Sequence, residues 1–266
     1  MAENTAPLEA VMEQNVIYVV LFFQKEKRNL YVKNPKNLYN NLISFLIMKI
    51  AITGASGKTG YRISEEAVKK GYKVRQIIRK NSKVSEGLES LETIRVSLDN
   101  KKELDNALKD IDALVIATGA RASLDLTGPA KVDALGVYRQ LESCKRVGIK
   151  RVILVSSLCT GKLFHPLNLF GLILIWKKIG ENFLRNSNFE WTIIRPGGLK
   201  ENEDIKSENI NYSKEDIQIN GSIPRRLVAQ CCIDSLKNKA SINKLIEVTS
   251  SNDNKKISFK KAMQMI

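Results

Sequence analysis

From residue 48 onward the chain is a succession of short apolar runs, each followed by a stretch with helical spacing. Lys49–Thr53 has the length and apolar character of a buried strand. Tyr61–Lys70 places Ile63, Ala67 and Val68 on one helical face, and Gly71 stops it. Lys73–Ile78 is a second strand, Leu91–Leu98 contains a third, and Lys101–Leu108 is a short helix. Asp112–Thr118 and Arg151–Ser156 are apolar strands either side of a long helix, Ala130–Val147, closed by Gly148. Leu169–Arg185 reads as a helix and Trp191–Arg195 as a sixth strand. Glu201–Glu215 has little apolar periodicity and reads as a mobile loop. Pro224–Leu236, Lys244–Val248 and Phe259–Met265 follow as helix, strand and terminal helix. Strands without a polar face, alternating with helices, predict an α/β fold with a doubly wound parallel sheet.

The first strand runs into glycines at Gly54, Gly57 and Gly60, and a helix begins at once. Strand, glycine turn and helix in that order form a cradle for a dinucleotide pyrophosphate. One glycine permits the tight turn, one lets the backbone approach the phosphates, and one lets the helix pack closely. The spacing is GxxGxxG, where the usual fingerprint is GxGxxG. A single Rossmann-like domain with helices on both faces of its sheet is therefore expected over residues 48–266.

Residues 1–47 do not share this pattern. Val16–Phe23 is apolar, but far short of the ~20 residues that span a bilayer. Neither a secretory nor a transit signal matches the segment, which carries Glu3, Glu9 and Glu13. It reads as a non-native or disordered extension, with Met48 as the native start.

Composition narrows the chemistry. Cys144, Cys159, Cys231 and Cys232 show no metal-ligand or disulfide spacing, and one histidine, His165, leaves no basis for a metal site. Reduced cysteines point to the cytoplasm, or to the plastid stroma in a eukaryote. The net charge of +15 favours anionic partners. The cations are scattered without aromatic interleaving, so no nucleic-acid partner is expected.

The second strand selects the cofactor. An NAD site places a carboxylate about 20 residues beyond the glycines, on the ribose 2′-hydroxyl. Here Arg79 and Lys80 follow the strand, and no acid occurs before Glu86. With Lys58 in the turn they suit a 2′-phosphate, so NADP (NADPH) is expected ahead of NAD.

TGASGKTG, the basic residue after the second strand, ATGA at 117–120, LVSS at 154–157 and RPGGL at 195–199 together resemble an atypical short-chain dehydrogenase/reductase. GPAKVD at 128–133 and NLFGL at 168–172 are similar to the NAD(P)H-binding group of plant and cyanobacterial proteins. That group includes the NAD(P)-binding domain of a redox-sensing component of the plastid import machinery. The resemblance implies that Gly54, Ser56, Gly57, Lys58, Thr59 and Gly60 form the pyrophosphate turn and that Arg79 takes the 2′-phosphate. It places Asp99 near the adenine, a residue that could equally cap the helix at Lys101. Ala117, Thr118 and Gly119 would run along the cofactor, and Pro196 and Gly197 would lie beside the nicotinamide.

The same resemblance implies a Tyr-x-x-x-Lys pair after strand five, and here the sequence departs from it. Lys177 matches the lysine, but Ile173 stands in the tyrosine's place and cannot transfer a proton. Ser157 keeps the serine's position as a polarising donor, and Lys178 reads as a solvated helix charge. Three readings stay open. One is an oxidoreductase whose acceptor needs no catalytic tyrosine, such as a flavin, quinone or tetrapyrrole. Another is a redox sensor or assembly factor that shows its NADPH state to a protein partner. The third is a peripheral membrane protein using the apolar stretch Phe164–Trp176, which could instead pack on the sheet.

Overall fold

The structure, a computed structural model, describes residues 47–120, 126–201 and 208–266. The expectation for residues 1–47 lies outside them, apart from Ile47. The strands are β1 (Lys49–Thr53), β2 (Lys73–Ile78), β3 (Glu92–Arg95), β4 (Ala113–Ile116), β5 (Arg151–Val155), β6 (Glu190–Pro196), β7 (Gly198–Lys200), β8 (Asn209–Ser213), β9 (Ser222–Pro224) and β10 (Lys244–Ser251). The helices are α1 (Lys58–Lys69), α2 (Lys101–Ala107), α3 (Gly136–Val147), α4 (Ile173–Arg185), α5 (Arg225–Lys237) and α6 (Phe259–Met265).

Eight strands form the main sheet in the order β3-β2-β1-β4-β5-β6-β10-β8. Every pairing in it is parallel except that of β8 with β10. The order reverses between β1 and β4, and that switch point opens a crevice at the carboxyl ends of the strands. Successive β1 side chains serve opposite cores. Ile50 and Ile52 pack with Ile63 of α1, Val228 of α5 and Phe259 of α6. Ala51 packs with Leu104 of α2, Leu141 of α3 and Leu184 of α4. Helices therefore cover both faces, as the patterning requires.

Two local differences from the sequence reading have clear causes. The stretch expected as a loop over Glu201–Glu215 contains β8, whose alternation turns Ile210 and Tyr212 onto the core. Tyr212 meets Phe259 edge to face, with ring centroids 5.8 Å apart. The helix expected from Leu169 starts at Ile173, because Gly171 (φ 84°) and Leu172 (φ 58°) are left-handed. A 3-10 turn, Pro166–Phe170, precedes that break, and a π-helical turn, Ala130–Leu135, leads into α3.

Beneath β6 lies a buried ionic cluster. Arg195, fully buried, donates from Nε to Glu181 Oε1 (2.9 Å) and from Nη2 to Glu181 Oε2 (2.7 Å). Its fork also reaches Glu215 (3.0 Å) and Asp216 (2.9 Å). Glu247 of β10, itself 3.5 Å from Arg195, accepts the backbone N–H groups of Asp216, Ile217 and Gln218. Burial alone would raise the Glu215 pKa, yet Lys178, Arg185 and Arg195 together hold it down at about 2. Lys178 is thus no free surface charge, since its Nζ donates to Glu215 Oε1 at 2.9 Å.

Breaking a buried pair from one side leaves an uncompensated charge, at a cost of about 3–5 kcal/mol. Glu181→Leu leaves Arg195 with Glu215, Asp216 and Glu247 and should lower the unfolding free energy by up to that amount in urea denaturation. The double change Glu181→Leu/Arg195→Met should lose less than the two single losses combined.

Candidate functional site

The turn after β1 is set by backbone meeting backbone. Gly54 has φ +73°, and a Cβ there would sit 2.6 Å from the Ala117 carbonyl oxygen. A Cβ on Gly60 would sit 2.3 Å from the Gly54 carbonyl oxygen. No side chain larger than hydrogen fits either position without moving main chain. Gly57 donates its N–H to Gly54 O (2.9 Å) and forms the N-cap of α1, with no side chain capping the helix and no acid in its first turn. The positive end of α1 is therefore left open to an anion.

This turn opens into a cleft of about 610 Å³ at the switch point. Of the expected cofactor residues, Gly54, Ser56, Gly57, Arg79, Asp99, Ala117, Thr118 and Gly119 line it. Thr53, also on its wall, is buried, and its hydroxyl has no hydrogen-bond partner among the described residues. An uncapped helix end, glycines pressed to van der Waals limits and an orphaned buried hydroxyl together fit a bound dinucleotide.

Lys58, Thr59 and Gly60 form the first turn of α1 behind this surface. Lys58 faces Glu201 at 3.6 Å rather than the cleft. Pro196 and Gly197 end β6 outside it, and Gly197 has a packing reason of its own. A Cβ there would lie 2.6 Å from Gly221 O.

At the mouth beside β2 the cations differ in their commitments. Lys80 Nζ pairs with Glu103 at 2.7 Å. Arg95 donates to the carbonyls of Lys80 and Ser82 and so shapes the loop. Arg79 is exposed and pairs with no carboxylate among the described residues. Asp99 pairs with Arg139 across the cleft wall. The cap of α2 is Asn100, whose Oδ1 accepts from Glu103 N at 3.1 Å, so Asp99 does not cap that helix.

At the far end, Lys177 Nζ donates to Asp133 Oδ1 at 2.8 Å, and Asp133 Oδ2 accepts from Ala120 N at 3.1 Å. Both side chains pack against Gly119, which lines the cleft. The buried Asp133 was missed as a functional residue. Its signal is a carboxylate set among apolar residues, Val132, Ala134 and Leu135, at the start of a helix. Ser157 lies just beyond β5, and its hydroxyl has no partner among the described residues. Tyr138 stacks on Phe183 with centroids 5.2 Å apart. His165 Nδ1 accepts from Leu167 N. Neither ring lines the cleft.

A family model described as NAD(P)H-binding matches residues 54–239. The chain belongs to that NAD(P)H-binding family. Within it, the chain groups with the atypical short-chain dehydrogenase/reductases. An uncharacterized chloroplastic protein of Arabidopsis thaliana is 32% identical over 226 residues, 80% of each chain. Protein TIC 62, chloroplastic, of Pisum sativum is 31% identical over 225 residues. That match takes 75% of this chain and 42% of the relative, so it spans less than half of TIC 62. A solved Bacillus halodurans structure described as an NAD-dependent epimerase/dehydratase has a TM-score of 0.70 and 26% identity, over 82% of this chain and 100% of that one.

In this NAD(P)H-binding protein Gly60→Ala should weaken dinucleotide affinity at least ten-fold, because α1 must lift from the turn. Fluorescence titration with NADPH reads the loss directly, and a variant binding as the native chain does would contradict this account of the turn.

Proposed function

We propose that the protein is an NADP(H)-dependent oxidoreductase whose acceptor takes its proton without help from a protein tyrosine. The observation that carries the NADP preference is Arg79, uncommitted at the mouth of the cleft where an NAD site would present a carboxylate. Glu103 draws Lys80 aside but leaves it within the same loop, where it adds positive potential. Gly54, Ser56, Gly57 and the first turn of α1 hold the pyrophosphate, and Ala117–Gly119 support the dinucleotide beyond it. Lys177, aimed by Asp133, holds the nicotinamide ribose, and Ser157 orients the acceptor.

When bound, the cofactor supplies hydride. Among the described residues, the candidate donors are not matched to the role of general acid. Ile173 is aliphatic, Tyr138 is stacked on Phe183, and His165 spends its Nδ1 on the 3-10 turn. A flavin, quinone or tetrapyrrole, protonated from water, avoids that requirement. The lack of a proton donor also favours a second reading, in which the protein binds NADPH without turnover and presents its state to a protein partner. The chloroplastic relatives support a plastid stroma location for either role.

A charge-assisted hydrogen bond contributes ~1.5–3 kcal/mol. Arg79→Ala should therefore weaken NADPH binding by roughly ten-fold or more while leaving NADH nearly unchanged. Equal losses for both cofactors in titration calorimetry would remove the 2′-phosphate assignment.

A positioned general acid contributes ~100- to 10,000-fold to carbonyl reduction. Simple ketones should accordingly show negligible NADPH oxidation under conditions where quinones or flavins react. Efficient ketone reduction, abolished by changing Tyr138, Ser157 or His165, would reverse the proposal. Binding with no turnover on any acceptor class would leave the sensor reading.

A further inference from the structure

The segment between β5 and α4 is a closed loop with Asn168 buried at its centre and several apolar side chains turned out. Gly161 N donates to Leu174 O at 3.1 Å and ties the two ends together. Within the loop, the N–H groups of Lys162, His165, Asn168 and Leu172 all find carbonyl partners. Leu167 N is taken by His165 Nδ1. Asn168, buried at the centre, donates to the carbonyls of Lys162 (2.8 Å) and Leu163 (3.0 Å) and accepts from Leu174 N (2.9 Å). Leu174 itself is buried with Leu158 and Cys159. The tip presents Leu163, Phe164, Leu167 and Leu169 to solvent, with Phe164 97% and Leu169 82% exposed.

Holding such residues outward on a pinned loop gains nothing in water, where apolar exposure is unfavourable. In a lipid interface the same arrangement is favourable, because Lys162, His165, Leu167, Asn168 and Leu172 enter with their N–H groups already bonded. The electrostatics select the kind of lipid. Lys162 is exposed beside the apolar tip, and along the sequence no acidic residue occurs between Glu142 and Glu181. No helix of the described residues is long and apolar enough to cross a membrane, so the contact is interfacial.

We propose that residues 161–172 dock this protein on the surface of an anionic lipid bilayer. Leu163, Phe164, Leu167 and Leu169 enter the headgroup boundary, and Lys162 meets lipid phosphate. This inference stands apart from the cofactor preference, since none of these residues lines the dinucleotide cleft. Docking would set the loop that follows Ser157 against the membrane.

The test is co-sedimentation of the full chain with vesicles of phosphatidylglycerol and phosphatidylcholine, and with phosphatidylcholine alone. The native chain should bind the anionic vesicles, bind neutral ones weakly, and lose binding as salt rises. Phe164→Ser/Leu169→Ser should weaken anionic-vesicle binding at least ~10-fold, with an unchanged melting temperature showing that the fold is kept. Lys162→Glu should weaken it several-fold at low salt. Native-chain binding that the double change leaves intact would place the contact elsewhere, for example in the apolar stretch Val16–Phe23, and overturn the proposal. No binding to anionic vesicles would overturn it too, as would self-association, read by light scattering, that the double change abolishes.

Discussion

Main chain packed directly on main chain at Gly54 is the contact on which the site depends. A Cβ at Gly54 would reach the Ala117 carbonyl, and one at Gly60 would reach Gly54. These two approaches fix β1, β4 and the start of α1 within ångströms of one another. The N-cap of α1 is Gly57, so no side chain caps its first N–H groups. Gly57, at that N-cap, lines the crevice that the reversal of strand order opens. The open helix end is thus a by-product of how closely three elements pack.

Charge is arranged around that packing by commitment. On the β6 side, Arg195, Lys178 and Arg185 are bound into a cluster with Glu181, Glu215 and Glu247 that ties α4, β6 and β10 together. Lys177 is tied to Asp133, which leaves its ammonium beside Gly119 with little freedom. Lys58 and Arg225 share Glu201. Among the cations at the cleft mouth, Arg79 pairs with no carboxylate of the described residues. A net charge of +15 therefore says little by itself, and what matters is which cations already have partners.

Much of this architecture could be read from the chain because it is written locally. Apolar runs and helix stops lie within a few residues of one another, and the glycine turn is contiguous. What could not be read depends on distant partners. Arg195 sits in an apolar strand and looks like a strand-end charge until Glu181, Glu215 and Glu247 arrive from three other segments. Asp133 is the same case, since its role needs Lys177 forty-four residues later. Strand β8 escaped notice because its alternation is brief and set in a polar stretch, and only the edge of β10 gives it a place. Asn100, rather than Asp99, caps α2, a choice between adjacent residues that spacing does not make.

The segment from Val155 to Lys177 shows how one replacement alters the balance of a familiar site. It begins with the serine position, passes through the closed loop, and returns along α4 to the lysine. A tyrosine at the head of α4 would give this segment a proton donor directed at a substrate carbonyl. Ile173 removes the donor and adds one more aliphatic side chain next to Leu172 and Leu174. Lys177 no longer has a phenol whose pKa it could lower, so what its ammonium can still do is bind. Asp133, buried and aligned by Ala120 N, holds it to that task. The segment keeps a serine and a lysine at the positions that the resemblance to short-chain dehydrogenase/reductases assigns, with Ile173 in place of the tyrosine. Under the proposed function, chemistry at this site comes from the cofactor and the acceptor, with the protein supplying position.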